Sequence, residues 1–165
     1  MRQPINDADW QPLCLPRVHV DEPDASAILS NALAAYLQTN LSHTDLSSIV
    51  LVGIGTDRST GDALGPLVGT IVKEFDITGL HVYGTLDDPV HATNLSSRMQ
   101  VIAESHPNSA VIAVDACLGK AESIGYISLK EGPLKPGTGV NKQLPPVGDL
   151  HIVGVVNVGG FMEYL

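Results

Sequence analysis

Hydrophobic and polar positions along the chain switch between two periods, and the switches mark the elements. Within residues 21–37, DEPDASAILSNALAAYL, the positions Ile28, Leu29, Ala32, Leu33, Tyr36 and Leu37 fall on one stripe at helical spacing. That spacing predicts a helix over about 24–38. Pro23 and Asp24 suit its first turn, where no backbone donor is lost and a carboxylate meets the positive end of the dipole. SSIVLVGIG, residues 47–55, is a continuous β-branched run that ends in glycines. A run without alternation predicts a strand covered on both faces, as in a parallel sheet.

A turn-rich loop, TDRSTGDALG, then leads into a helix over about 62–75, and LHVYGTL (80–86) predicts a second strand. A further helix, which Thr93 or Asn94 is placed to cap, ends before Pro107. SAVIAVDACLG (109–119), SIGYISLK (123–130) and DLHIVGVVNV (149–158) complete the strands. Residues 131–149, EGPLKPGTGVNKQLPPVGD, are rich in glycine and proline, have no period, and read as a long loop. Strand and helix in alternation predict an α/β fold, a three-layer, twisted, mostly parallel sheet flanked by helices.

At 165 residues and 17.4 kDa the chain suits one domain. Residues 1–16 lack any period and hold prolines, so they read as a flexible arm before a single domain over 17–165. The last strand should want a covering helix, yet only GGFMEYL follows it. The expectation is a domain without its C-terminal closing helix, either cut short or covered by a partner. Aromatic residues are only 4%, which leaves Val, Ile, Leu and Ala to build the core.

Charge narrows the function. The formal net charge is −9, a field that repels phosphate backbones and anionic lipid heads, so neither nucleic acid nor a membrane surface is an expected partner. Cys14 and Cys117 make neither a disulfide framework nor a CxxC pair. No basic-then-apolar leader opens the sequence and no apolar run reaches the ~18 residues of a membrane helix. The reading is a cytoplasmic protein.

In open α/β sheets ligands bind at the carboxyl ends of the strands. Asp57 and Asp62 follow the first strand, Asp87 and Asp88 the second, Asp115 stands at the end of the third, and the Gly-rich loop precedes the fifth. GIGTDRSTGDALG is neither a Walker A loop nor GxGxxG, and an aspartate at the helix entrance would repel phosphate. If the fold joins Asp62 and Asp115, two adjacent carboxyls would share a proton and divide acid and base roles. The plainer alternatives are that Asp62 supports the helix dipole and that Asp115 closes a turn. Six histidines (His19, His43, His81, His91, His106 and His151) show no zinc spacing, and His91 alone falls on the rim, where it reads as a surface residue. Cys117 reads as a small buried hydrophobe, and Ser59 and Thr60 as loop formers.

VGIGTDRSTGDALGPLVG, VYGTLDDPVHATNL, AVIAVDACLG, GTGVNK and IVGVVNVGGFMEYL together resemble the sporulation proteins of the YyaC type. The resemblance spans most of 17–165 and implies an origin in spore-forming Firmicutes, a role in sporulation, and location in the sporulating cell or spore core. It implies kinship with the spore germination protease and the hydrogenase maturation endopeptidases, hence a phosphorylase/hydrolase-like sheet. In the germination protease, TPDALGP and IDAL segments carry two aspartates proposed as catalytic. They correspond to TGDALGP and VDAC, and so to Asp62 and Asp115. The hydrogenase peptidases grip nickel with acidic residues at these two places and a histidine. Here that loop reads GTGVNKQLPP, with Asn141 and Lys142 in place of a histidine, so neither nickel nor another cofactor is expected.

The resemblance therefore implies an aspartic-type peptidase acting on a protein or peptide, with small spore proteins as candidate substrates. Asp62 and Asp115 would be catalytic. Asp57, Arg58 and Asn141 would line the substrate rim, and 131–149 would serve as a flap. The rival reading is a non-enzymatic protein that keeps the fold and holds a basic partner in an acidic cleft. A metal-dependent recogniser with the two aspartates as ligands is a third. A homo-oligomer is left open.

Overall fold

The computed structural model describes residues 15–41, 44–58, 60–137 and 144–159. Within them the β-branched runs become a six-stranded sheet. The elements in chain order are β1 (Arg17–His19), α1 (Ala25–Asn40), β2 (Asp45–Gly53), a 3-10 turn (Thr60–Asp62), α2 (Leu64–Glu74), β3 (Leu80–Tyr83) and α3 (Leu95–Ser105). β4 (Ser109–Gly119), a second 3-10 turn (Ala121–Ser123), β5 (Tyr126–Glu131) and β6 (Leu150–Val158) follow. The strands lie in the order β1-β5-β6-β4-β2-β3. β6, β4, β2 and β3 run parallel, while β5 is antiparallel to both β1 and β6.

Both faces are covered, which is why the central strands carry apolar residues at successive positions. One face packs Val50, Val52, Ala113 and Val153 against Leu95 and Ile102 of α3. The other packs Ala110, Ile112 and Leu150 against Tyr36 of α1, with Leu29, Leu33 and Leu37 alongside. α2 shares the α1 face: a Cβ at Gly53 would meet the carbonyl oxygen of Gly65 at 2.3 Å, and one at Gly154 would meet Leu64 at 2.6 Å. The result is three layers, as the alternation predicts.

Several boundaries differ from expectation for local reasons. β3 ends at Tyr83 because Gly84, at φ 78°, turns the chain out of the sheet. β5 starts only at Tyr126, after the 3-10 turn. β1 is a three-residue edge strand with no periodic signal of its own. Asn94 precedes α3 but its side chain does not cap the helix. It instead accepts from the His91 N–H at 2.8 Å and donates to the Pro89 carbonyl at 2.9 Å.

The Gly/Pro-rich stretch over 131–149 is corrected most. Glu131 belongs to β5, and Leu134 and Val147 bridge each other through N–H···O bonds of 2.8 and 2.9 Å and are buried in the α3-side core. Asp149 is tied to Val111, accepting from its N–H at 2.8 Å and donating to its carbonyl at 2.7 Å. Leu134, Pro136 and Val147 are buried, so the two ends of the stretch are anchored to the core and do not act as a flap, while 138–143 lie outside the described residues. The same bridge, with α1 and Leu64, covers the first half of β6 from within the chain. Residues 1–14 and 160–165 lie outside the described residues, and so do the arm and the GFMEYL ending.

A candidate acidic site at the end of β2

The chain steps from β2 through α2 outward to β3, then from β3 through α3 back past β2 to β4. Right-handed crossovers in opposite directions put their helices on opposite faces, so a crevice opens between the carboxyl ends of β2 and β4. The register sharpens it. Gly53 pairs with Val114 as the last β2–β4 pair, and β4 continues alone against β6, with Asp115 beside Val153. Asp115 is therefore not a strand-end residue that closes a turn. It is the first residue of β4 beyond the end of β2.

The opposite wall is the loop after β2. Ile54 donates to the Val114 carbonyl at 2.8 Å and Gly55 to the Val90 carbonyl at 2.8 Å, which fixes the loop's first residues to two neighbouring segments. Gly55 has φ 134°, and a Cβ there would lie 1.9 Å from the main-chain oxygen of Asp62. Only glycine lets the loop close onto itself at this point. Gly65, in the first turn of α2, does the same for packing: its Cβ would lie 2.2 Å from the Ile54 carbonyl oxygen. These contacts give a physical reason for the spacing of glycines in GIGTDRSTGDALG.

Asp62 ends the 3-10 turn, and its Oδ2 accepts the Thr56 N–H at 3.0 Å. Burial pushes its carboxyl up from the ordinary range, while the Thr56 donor and nearby His91 pull it down. Asp115 accepts the N–H of Ala116 through Oδ1 at 2.8 Å. Its carboxyl is pushed up to about 7, chiefly by burial, against the pull of the Ala116 donor, and further by the charge of Asp62. Burial is the main cause that raises Asp115, and the charge of Asp62 adds to it. The fold thus brings the two aspartates into electrostatic contact, with each carboxylate bonded to a backbone donor and not to the other.

The remaining rim residues are less engaged. Asp57 and Arg58 are exposed on the same loop, with the Arg58 N–H donated to Thr56 Oγ1 at 2.9 Å. Asp88 forms an ion pair with Arg98 of α3 and Asp87 is exposed. Asn141 lies outside the described residues. His91 was read as a surface residue, yet it stands near Asp62. The parallel bridge Ile54–Val90 carries it there, and Thr93 Oγ1 lies 2.9 Å from its Nδ1. The available signal was its place after β3, the counterpart of the Asp57–Asp62 loop after β2. Cys117 packs against the α3-side core, and burial pushes its thiol up, which does not suit a nucleophile.

Among the described residues, no three His, Cys, Asp or Glu side chains are grouped to hold a metal ion, and no helix is long and apolar enough to cross a membrane. No solved structure matches the chain. The chain is 53% identical over 146 residues to "Uncharacterized protein YyaC" of Bacillus subtilis (strain 168), covering 88% of this chain and 70% of that protein. A family model described as "Protein of unknown function (DUF1256)" matches residues 17–165, from the start of β1 onward and including both walls of the acidic crevice. The chain belongs to that family.

Proposed function

We propose that this chain is a binding protein that takes a basic segment of a protein or peptide into the crevice between β2 and β4, with Asp62 and Asp115 as the anchoring carboxylates. One observation carries the reading: Asp115 is a half-buried carboxyl on the first residue of β4 beyond the end of β2, pushed up to about 7 chiefly by burial and further by the charge of Asp62. A lysine or arginine arriving there replaces the carboxyl proton, so the ionised pair gains a counter-charge at the moment it forms. Asp57 adds to the field on the exposed loop, and Arg58 beside it would exclude segments with too many cations close together. Small spore proteins, to which the family resemblance points, are the candidate partners, in the sporulating cell or spore core.

The same proton favours a second reading, peptide-bond hydrolysis. Ionised Asp62 would accept a proton from water as that water adds to the carbonyl carbon, and protonated Asp115 would donate its own to the departing nitrogen. The resemblance to spore peptidases points the same way.

Small acid-soluble spore proteins incubated with the wild type, Asp62→Asn and Asp115→Asn separate the two, with calorimetry for binding and intact masses for cleavage. The expected result is binding by the wild type that weakens with salt, is lost in both variants, and leaves the ligand intact. Defined fragments made by the wild type alone would replace binding with hydrolysis. Neither binding nor fragments would sink both.

A further inference from the structure

Helix α2 meets the sheet through Gly65 and Gly69 and turns another face outward. On that face Leu67, Ile71 and Phe75, each four residues from the next, are 43%, 54% and 71% exposed. Ile77, 53% exposed, continues the row past the helix end. Large apolar side chains scattered singly need no explanation, but a contiguous row marks a contact surface. The row leads into a hollow of about 420 Å3 beside the edge strand β3, lined by Val72, Ile77, Leu80 and Val82 on its apolar side and by Lys73 and Asp76 on its polar side. At the other end the helix begins two residues after Asp62. The 11-residue helix thus spans roughly 16 Å from the Asp62 end to the hollow beside β3.

Resting on the binding role above, we propose that this surface docks a basic amphipathic helix of a partner protein. Its apolar side chains lie along Leu67, Ile71 and Phe75, with one in the hollow beside β3, and its basic residues lie toward Asp57 and Asp62. Helix-on-helix packing accounts for the four-residue spacing of the row. Charge selects the occupant. A second copy would bring another chain of net charge −9 against this one, whereas a basic helix is attracted by Asp57, Asp62, Glu74 and Asp76, which outnumber the opposing cations Arg58 and Lys73.

The test uses the full chain, a synthetic leucine–lysine amphipathic helical peptide, and a control in which serines replace the leucines at equal charge. The wild type should bind the leucine peptide about tenfold or more tightly than the serine peptide, and Ile71→Gln with Phe75→Gln should remove that advantage. Equal binding of the two peptides, or no change in the double variant, overturns the proposal. Sedimentation of the wild type as a dimer that the double variant abolishes overturns it in favour of self-association. If the serine peptide binds and Asp62→Asn releases it while the apolar row has no effect, the acidic crevice stands without the helix dock. If the apolar row matters and Asp62→Asn does not, the dock stands and the acidic-crevice reading falls. Failure of both peptides to bind overturns both.

Discussion

The backbone N–H of Thr56 is shared between two oxygens of Asp62, the carboxylate Oδ2 at 3.0 Å and the main-chain carbonyl at 3.1 Å. A single donor thereby closes the loop after β2 and biases one carboxyl of the pair toward its charged form. An asparagine can still accept from Thr56 but carries no charge. Asp62→Asn should keep the fold and let Asp115 lose its proton below its present value of about 7, because the neighbouring charge that raises it is gone. Carbon-detected NMR titration of the Asp115 carboxyl reads this directly. An unmoved midpoint would mean that the two groups do not interact.

Asp115 lowers the stability of the fold at neutral pH. The folded state holds its proton to about 7, while the unfolded chain releases it near the ordinary carboxyl value of 3.8. Between those values the unfolded state binds fewer protons, so stability falls as pH rises and levels off above 7. Asp115→Asn lacks that loss. It should be more stable than the wild type at pH above 7 by about 2 kcal/mol, less than the ~4 kcal/mol of the full shift because the side chain retains some solvent contact. The gap should close toward pH 4. Urea unfolding across this range checks both size and direction.

Ligand affinity should follow the same proton. A basic peptide that anchors on Asp115 must displace it, so binding tightens as pH rises through 7 and releases up to one proton per complex below that point. Between pH 6 and 8 the gain should be about tenfold, and Asp115→Asn should show no binding at either pH. Calorimetry in buffers of different ionisation enthalpy counts the proton. A flat wild-type profile would remove Asp115 from the contact.

Two glycines with positive φ offer a matched pair. Gly55, at φ 134°, has the Asp62 carbonyl oxygen 1.9 Å from a built Cβ, whereas Gly132, at φ 77°, has nothing within 4 Å. Gly132→Ala should cost only the left-handed backbone penalty of about 1 kcal/mol. Gly55→Ala must also push the loop open, and should cost about 3 kcal/mol or more or fail to fold. Chemical denaturation of the two variants side by side gives the comparison. Similar costs would mean that the loop yields freely.

Much of this architecture is readable from the residues because β-branched runs in a parallel sheet have little else to become. β4 occupies the expected 109–119, and β2 and β6 fall within two residues of theirs. Asp57, Asp62, Asp87 and Asp88 were legible as loop residues after such runs, whereas Asp115 lies inside β4 and reaches the rim only because β2 ends first. What was not legible depends on contacts between distant segments. Leu134 and Val147 sit in a stretch without period, and only their mutual bridge makes them core. His91 reaches Asp62 because Val90 pairs with Ile54, a contact across 36 residues that no local spacing announces. Asn94 looked like a helix cap, but the free donors and acceptors of residues 89–91 claimed its side chain.

The overrun of β4 past β2 also fixes when the crevice can exist. Its floor is β4, whose residue Asp115 is held from the far side by Val153 of β6, while its wall comes from Asp62. Those three positions span more than half of the sequence, and nothing local holds them together before the parallel strands pair. Such long-range pairing is slow to form. On the ribosome, β2, α2 and β3 emerge early, yet the floor stays unsupported until β6 has been synthesised and has left the exit tunnel. A nascent chain halted before Val153 carries both aspartates without the niche that sets them against each other, so the acidic crevice forms only once β6 can pair with β4.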